Sequence, residues 1–160
     1  MAAADIFLEL DGIKGESQDS IHKDAMEIMS WSWGASNQGS FHTGTGGGTG
    51  KATFHDLTVT KNVDKASSSL WKSVSTGTHI AKGTLYVRKA GGDKPLDYLT
   101  IEMTNIIITS LQWGTGHVLV TENLSLNFEI FKITYSQQAA TGSGDGTGDF
   151  GYNISQHATT

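Results

Sequence analysis

The stretch "ENLSLNFEIFKITYSQ", Glu122 to Gln137, alternates twice, in two opposite phases. Leu124, Leu126 and Phe128 set the first phase; Phe131, Ile133 and Tyr135 set the second. Successive side chains of a strand point to opposite faces of a sheet, so alternation of this length marks a strand with one buried face. A change of phase within one strand calls for an extra residue, which a β-bulge supplies, and its expected place is near Glu129.

Upstream, "LDYLTIEMTNIIITSLQW" puts Leu99, Ile101, Met103, Ile107 and Leu111 on one face and Ile106 and Ile108 on the other. "AKGTLYVRKAGG" reads as a strand ending in a Gly-Gly turn. In "DIFLELD", Ile6, Leu8 and Leu10 oppose Asp5, Glu9 and Asp11. "AMEIMSWSWGASNQ" places Met29, Trp31 and Trp33 on one side and Met26, Ile28, Ser30 and Ser32 on the other. "TFHDLTVTKNV" gives Leu57 and Val59 a common face, and "DFGYNISQ" supplies a last short strand.

The period changes once. In "DKASSSLWKSVSTG", Ala66, Leu70 and Val74 recur at helical spacing, with Asp64 as the N-cap, Gly77 as the stop and Trp71 beside the apolar stripe. The expected helix runs over about 64–75. The chain is thus expected to be mainly β and a single domain over 1–160. Its expected form is a partly closed antiparallel β-barrel, or two packed sheets, with six or seven strands and one flanking α-helix.

Two long polar segments interrupt the pattern, a Gly/Ser/Thr-rich loop at about 35–50 and a Gly-rich segment at about 141–151. The first contains "GTGGGTGK", Gly44 to Lys51, which invites comparison with a phosphate-binding loop. Thr45 stands where that motif needs its first glycine, and Ala52 where it needs a Mg²⁺-binding hydroxyl. A strand follows where a helix N-terminus must hold the phosphate. The glycines therefore read as a loop and not as a nucleotide site.

Composition narrows the chemistry further. The 160 residues include 20 glycines, one proline and no cysteine, and the net charge is −5. Without cysteine there is no disulfide or thiolate chemistry. Scattered lysines and arginines give no nucleic-acid stripe. "MAAADIFLELDG" has no basic leader, and no apolar run approaches the ~20 residues that span a bilayer, so a cytosolic protein without membrane insertion is expected.

His22, His42, His55, His79, His117 and His157 show no metal-ligand spacing. Around Asp145, Thr147 and Asp149, Phe150 and Gln156 occupy the places where a calcium loop needs Gly and Glu. Ser143 sits in a glycine-rich tail and not on a nucleophile elbow. Glu102, Glu122 and Glu129 could pair as acid and base, but strand carboxylates at these positions read as solvated. No catalytic residue, cofactor or metal is expected. Trp31 and Trp33 read as core aromatics, with a monomeric carbohydrate-binding module as the alternative. A soluble β-domain with open strands and glycine loops suits self-contact.

The fragments "IKGES", "SWSWG", "GGTGKATFHDLTVTKNVDKAS", "VRKAGG", "TENLSLNF" and "FGYNISQ" also stand in the order seen in the Hcp family. The chain resembles these haemolysin-coregulated tube proteins of type VI secretion from Asp5 to Gln156. The resemblance implies a homohexameric ring and rings stacked into a tube inside a contractile sheath, with a spike or tip protein at the end. It also implies small effectors held in the lumen, and export from the cytoplasm to the medium or a target cell without a signal peptide. On that basis Ser32 is the candidate lumen residue, by alternation from Trp31 and Trp33. The candidate ring–ring contact is the loop bearing Gly44, Gly46, Gly47, Gly48 and Gly50.

Overall fold

The computed structural model describes residues 4–39, 41, 51–89, 95–116, 118–138 and 144–160. Its elements are β1 (Ala4–Leu10), β2 (Met26–Glu27), β3 (Ser30–Ser32), β4 (Ala35–Ser36), β5 (Thr53–Phe54), β6 (Leu57–Asn62), α1 (Ser67–Thr76), β7 (Ile80–Lys89), β8 (Asp97–Thr115), β9 (Val120–Gln138), β10 (Gly144–Asn153) and β11 (Ala158–Thr159). The stretch read first lies in β9. Every strand pairing is antiparallel, in a nine-stranded sheet ordered β11-β10-β9-β8-β7-β1-β2, with β3 and β6 joined to it through β9, and a small β4-β5 ribbon. The strands outnumber those expected because three segments are broken. Residues 25–38 become β2, β3 and β4, residues 53–63 become β5 and β6, and the tail yields β10 and β11. The β4 strand falls at the start of the expected 35–50 loop.

The break after β2 has a physical reason. The Ile28 N–H donates to the Ile6 carbonyl at 2.9 Å, while the Met29 N–H donates to Thr60 at 2.8 Å. Two adjoining residues therefore hold the two margins of the curled sheet, on β1 and β6. The ladder itself does not close into a barrel; the covalent chain bridges the gap. The crossing also changes the side-chain phase. Met26 and Ile28 are buried, Met29 is exposed, and Trp31 and Trp33 pack against the core. This corrects the expected face shared by Met29 and the tryptophans.

The β8–β9 hairpin has 19 residues in each arm. A straight strand of that length would run about 60 Å, far beyond the ~15 Å radius of gyration of a domain this size. It bends at two places. Asn105 has φ +57°, an uncommon value that asparagine tolerates better than most residues. On β8 the buried phase passes there from Ile101 and Met103 to Ile106 and Ile108. On β9 it passes at the same level from Phe131 to Phe128, because Thr104 faces Ile130 and Ile106 faces Phe128. Both strands thus turn over together without an extra residue near Glu129. The register shift lies instead between Ile108 and Ser110, where Thr109 is the added residue, and Leu111 returns to the core side.

The helix begins at Ser67, not at Asp64. The Asp64 carboxylate accepts from the Ala66 N–H at 2.9 Å and its carbonyl from the Ser67 N–H at 3.1 Å, so it forms a turn that hands the N-cap to Ala66. Gly77 ends the helix with φ +67°, a left-handed conformation that glycine adopts without penalty.

Beneath α1 lies a fully buried ion pair. Lys61 and Glu122 are both 0% exposed, with Nζ and Oε2 2.7 Å apart. Lys61 uses its remaining donors on Asp64 Oδ1 and the Asn62 carbonyl, each at 3.0 Å. Glu122 also accepts from Ser67 Oγ at 3.0 Å and from Trp113 Nε1 at 2.6 Å. Every donor of the ammonium is satisfied, which makes this burial tolerable.

A second cluster ties the β1–β2 connection to the sheet. Gly15 passes so close to Ala25 that an added Cβ would sit 2.5 Å from its carbonyl oxygen. Buried His22 lies between Asp97 at 2.8 Å and Glu9 at 3.4 Å, against the rings of Tyr86 and Phe7. Burial, then Glu9, raises the Tyr86 pKa. Buried Arg88 binds Asp19 at 2.5 Å and Asp5 at 3.3 Å and lies over Phe7. Its bonds, with the backbone N–H groups of His22 and Ile21, hold Asp19 well below the ordinary carboxylate range.

Lys61→Met should lower stability by about 3–5 kcal/mol, because it strands a buried carboxylate. Lys61→Met with Glu122→Gln should recover more than half of that loss. Urea midpoints at unchanged m-value measure both. For Asp19 the folded pKa is depressed, so its contribution is complete above the unfolded pKa of about 3.9 and is lost as pH falls through the folded value. The stability gap between the native chain and Asp19→Asn should therefore stay constant from about pH 5 to 8 and shrink below about pH 4, as read by thermal melts across that range.

Candidate functional site

The alternation that buries Leu57 and Val59 on β6, and Leu124 and Leu126 on β9, turns the intervening residues outward. Register then aligns them in rows across four strands. One row is Ser32, Thr58, Ser125 and Ser110; the next is Ser30, Thr60, Asn123 and Gln112. The core row between them is Trp31, Val59, Leu124 and Leu111. Ser32 is exposed on β3, on the face away from that core row.

The outward residues bond one another. Thr58 Oγ1 and Ser125 Oγ are 3.1 Å apart, and Thr60 Oγ1 donates to Asn123 Oδ1 at 2.7 Å. Farther along, the Asp56 carboxylate accepts from Thr109 Oγ1 at 2.6 Å and from Asn127 Nδ2 at 2.9 Å. The two central rows consist entirely of hydroxyl and amide side chains. Such a surface is wet and carries no fixed charge, and each hydrogen bond it offers contributes only about 0.5–1.5 kcal/mol net. It suits loose, reversible contact with a polar partner.

The other sequence candidates fall as follows. Trp33 packs against Phe128 and Phe131, with centroids at 5.8 and 4.9 Å, and its indole N–H donates to the His55 carbonyl at 3.0 Å. Both Trp31 and Trp33 lie partly buried against the core, so these two do not form the open platform on which a sugar would stack. The three carboxylates do not converge. Glu102 is exposed opposite Lys132; Glu122, expected to be solvated, is buried because Lys61 shares its core phase. Glu129 sits at the level of Asn105, three residues along β8 from Glu102, a rise of about 10 Å. Asp149 lies exposed in the extended strand β10, not in a metal loop. Among the described residues no group of three His, Asp or Glu is placed to hold a metal ion. Gly44, Gly46, Gly47, Gly48, Gly50 and Ser143 lie outside the described residues.

Sequence reading missed the network at the bend. His79 Nδ1 is 3.1 Å from Asn105 Oδ1, and Asn105 Nδ2 donates to Glu129 Oε2 at 2.8 Å. Ser155 Oγ lies 2.8 Å from Glu129 Oε1. The bonds from Asn105 and then Ser155 lower the Glu129 pKa. Only the double phase of the two long strands signalled that something unusual sits at this level. Among the described residues no helix is long and apolar enough to cross a membrane.

Comparison with known proteins agrees with the fold. The family described as "Type VI secretion system effector, Hcp" matches residues 7–135. Protein hcp1 of Pseudomonas aeruginosa is 39% identical over 158 residues, covering 97% of this chain and 98% of that one. The crystal structure of Hcp1 from Salmonella typhimurium superposes with a TM-score of 0.82 at 32% identity, covering 99% of this chain and 100% of that one. A solved type six secretion system protein gives a TM-score of 0.92 at 28% identity, with 99% and 100% coverage. The chain belongs to the Hcp family of type VI secretion proteins.

Proposed function

We propose that this chain is the tube subunit of a type VI secretion machine. It forms homohexameric rings, the rings stack within a contractile sheath beneath a spike or tip protein, and the face carrying Ser32 lines the lumen and holds small effector proteins. The observation that carries this reading is the four-strand face of uncharged polar side chains, with the core confined to the opposite face. A channel wall that must hold a cargo and later release it needs many weak contacts rather than a few strong ones.

Two further features favour contact with identical neighbours. The edge of β10 away from β9 is paired with β11 at Tyr152 and Asn153 and bonded by Thr160 at Gly151, so among the described residues the rest of that strand presents an open edge. At the β8–β9 tip, Val118 is 89% and Leu119 61% exposed, and farther along the hairpin half-exposed Trp113 meets Trp71 of α1 edge to face, with centroids 5.5 Å apart. Exposed apolar groups gathered at one place mark a contact surface. A ring built head to tail joins two different patches, closing by rotation. Each contact should bury on the order of 1,000 Å² or more to persist. The 44–50 glycines then serve the weaker contact between rings, where backbone N–H and C=O groups can pair across copies.

Native mass spectrometry of the purified chain should give one species of about six protomers, and electron microscopy should show annular particles with a central hole. A pure monomer across a wide concentration range would falsify the ring. Replacing Ser32 with glutamate should leave the ring intact and reduce effector retention severalfold in co-purification with a known cargo; unchanged retention removes Ser32 from the lumen. Deleting Gly46 to Gly48 should leave single rings but shorten or abolish stacks under negative stain. Tubes of ordinary length from that deletion would count against the loop.

A further inference from the structure

The polar face ends in a groove of about 280 Å³ at the bend of the long hairpin. Its apolar lining comes from Ile107, Phe128 and Ile154. Its polar lining comes from His79, Asn105, Glu129 and Ser155. Asn127 belongs both to this groove and to the bonded pair with Asp56, so the groove is continuous with the face that carries Ser32.

The central feature is the Glu129 carboxylate. Its donors are neutral: the Asn105 amide on Oε2 and, on Oε1, the Ser155 hydroxyl, whose single hydrogen is shared with Asn153 Oδ1, also at 2.8 Å. A carboxylate oxygen has two acceptor sites, so each keeps one free. The same donors lower its pKa, which keeps the group anionic at neutral pH. Among the described residues no lysine, arginine or histidine forms an ion pair with it. The amide that orients it is itself fixed. Asn105 sits in a left-handed conformation within a strand, and His79 donates its Nδ1–H to the Asn105 carbonyl, since the amide nitrogen is turned to Glu129. A left-handed backbone at a non-glycine residue within a strand persists only where its surroundings hold it.

An immobilised anion without a counter-charge, bordered by apolar side chains, is complementary to a cation on an apolar stem. Lysine and arginine have that form. Their methylenes lie along apolar surface while the charged end makes charge-assisted hydrogen bonds. The chain carries 16 acidic against 11 basic residues, so a partner of the opposite balance fits it better than a second copy does. We propose that the Glu129 groove receives one lysine or arginine side chain of a protein lying against the polar face. This rests on the cargo-carrying reading given above.

The test uses the assembled, isotope-labelled protein titrated with N-acetylarginine amide and with its uncharged isostere, N-acetylcitrulline amide. The arginine compound should shift the Asn105 side-chain amide and the Glu129 backbone amide and bind at least tenfold tighter than the citrulline compound. Glu129→Gln, which keeps the shape, should erase that preference. Equal responses to the two compounds, or none in the millimolar range, overturn the proposal. A second arm asks where the cation comes from. Rings and stacks of Glu129→Gln should be unchanged; if either is lost, the occupant belongs to another copy of the chain and the proposal fails. Failure of the native chain to form rings, with the arginine preference intact, would defeat the transport reading and not the chemistry of the groove.

Discussion

The ion pair between Lys61 and Glu122 fixes which face of the sheet is inside. Both residues occupy the core phase of their strands, Lys61 after Leu57 and Val59, Glu122 before Leu124 and Leu126. Burying two charges costs several kcal/mol each unless geometry and hydrogen bonds compensate. Here the compensation comes from four directions: Asp64 and Ser67 around the start of α1, Trp113 on β8, and the carbonyl of Asn62. The helix can satisfy the pair from one position only. Its docking thus follows from the charges as much as from Leu70, and with α1 committed to the inner face the outer face of β3, β6, β9 and β8 is left free of helix among the described residues.

What that free face displays is decided by the same alternation. Every position that is not in the core phase of β6 must face outward, so Thr58 and Thr60 appear together, and register carries the pattern to Ser125 and Asn123. Threonine and serine meet two demands there. They tolerate the pleated backbone, and they pair with one another across strands at about 0.2–1 kcal/mol per pair. A row of lysines or glutamates at the same positions would set like charges directly opposite each other and destabilise the sheet. Neutral polarity on this face is therefore favourable for the sheet itself.

Much of this was legible in the sequence. Alternation located β1, β7, β8 and β9, the helical period located α1 apart from its first turn, and the position of Ser32 opposite the tryptophans followed from period two. The rest depended on pairings that a single strand does not reveal. The division of residues 25–38 comes from Ile28 and Met29 bonding to different margins; the adjacent apolar pair between Glu27 and Ser30 interrupts the alternation but does not say which strand each residue meets. The burial of Lys61 and Glu122 did leave a trace, since each is an opposite charge standing in an apolar phase. Read singly, either looks like a solvated strand residue; only the cross-strand register of Lys61 with Glu122 brings them together. The phase change near Glu129 was visible, but its cause was not. A bulge needs one strand, whereas here two strands turn over at the same level around a left-handed Asn105.

That shared turnover explains why a binding groove should lie where it does. Along regular parts of the hairpin, each outward side chain has outward neighbours two residues away, and the surface is smooth. At Asn105 and Glu129 both strands reverse, so residues that would otherwise alternate are brought to one side, and the C-terminal turn at Ile154 and Ser155 packs into the angle, its Ile154 N–H donating to the Glu129 carbonyl at 2.8 Å. The result is a concavity in an otherwise open face, with a carboxylate at its edge and apolar side chains beneath. The bend is required by the length of the hairpin; the groove follows from the bend. A feature imposed by packing thus supplies a place on a mostly neutral surface where charge and shape could select among partners.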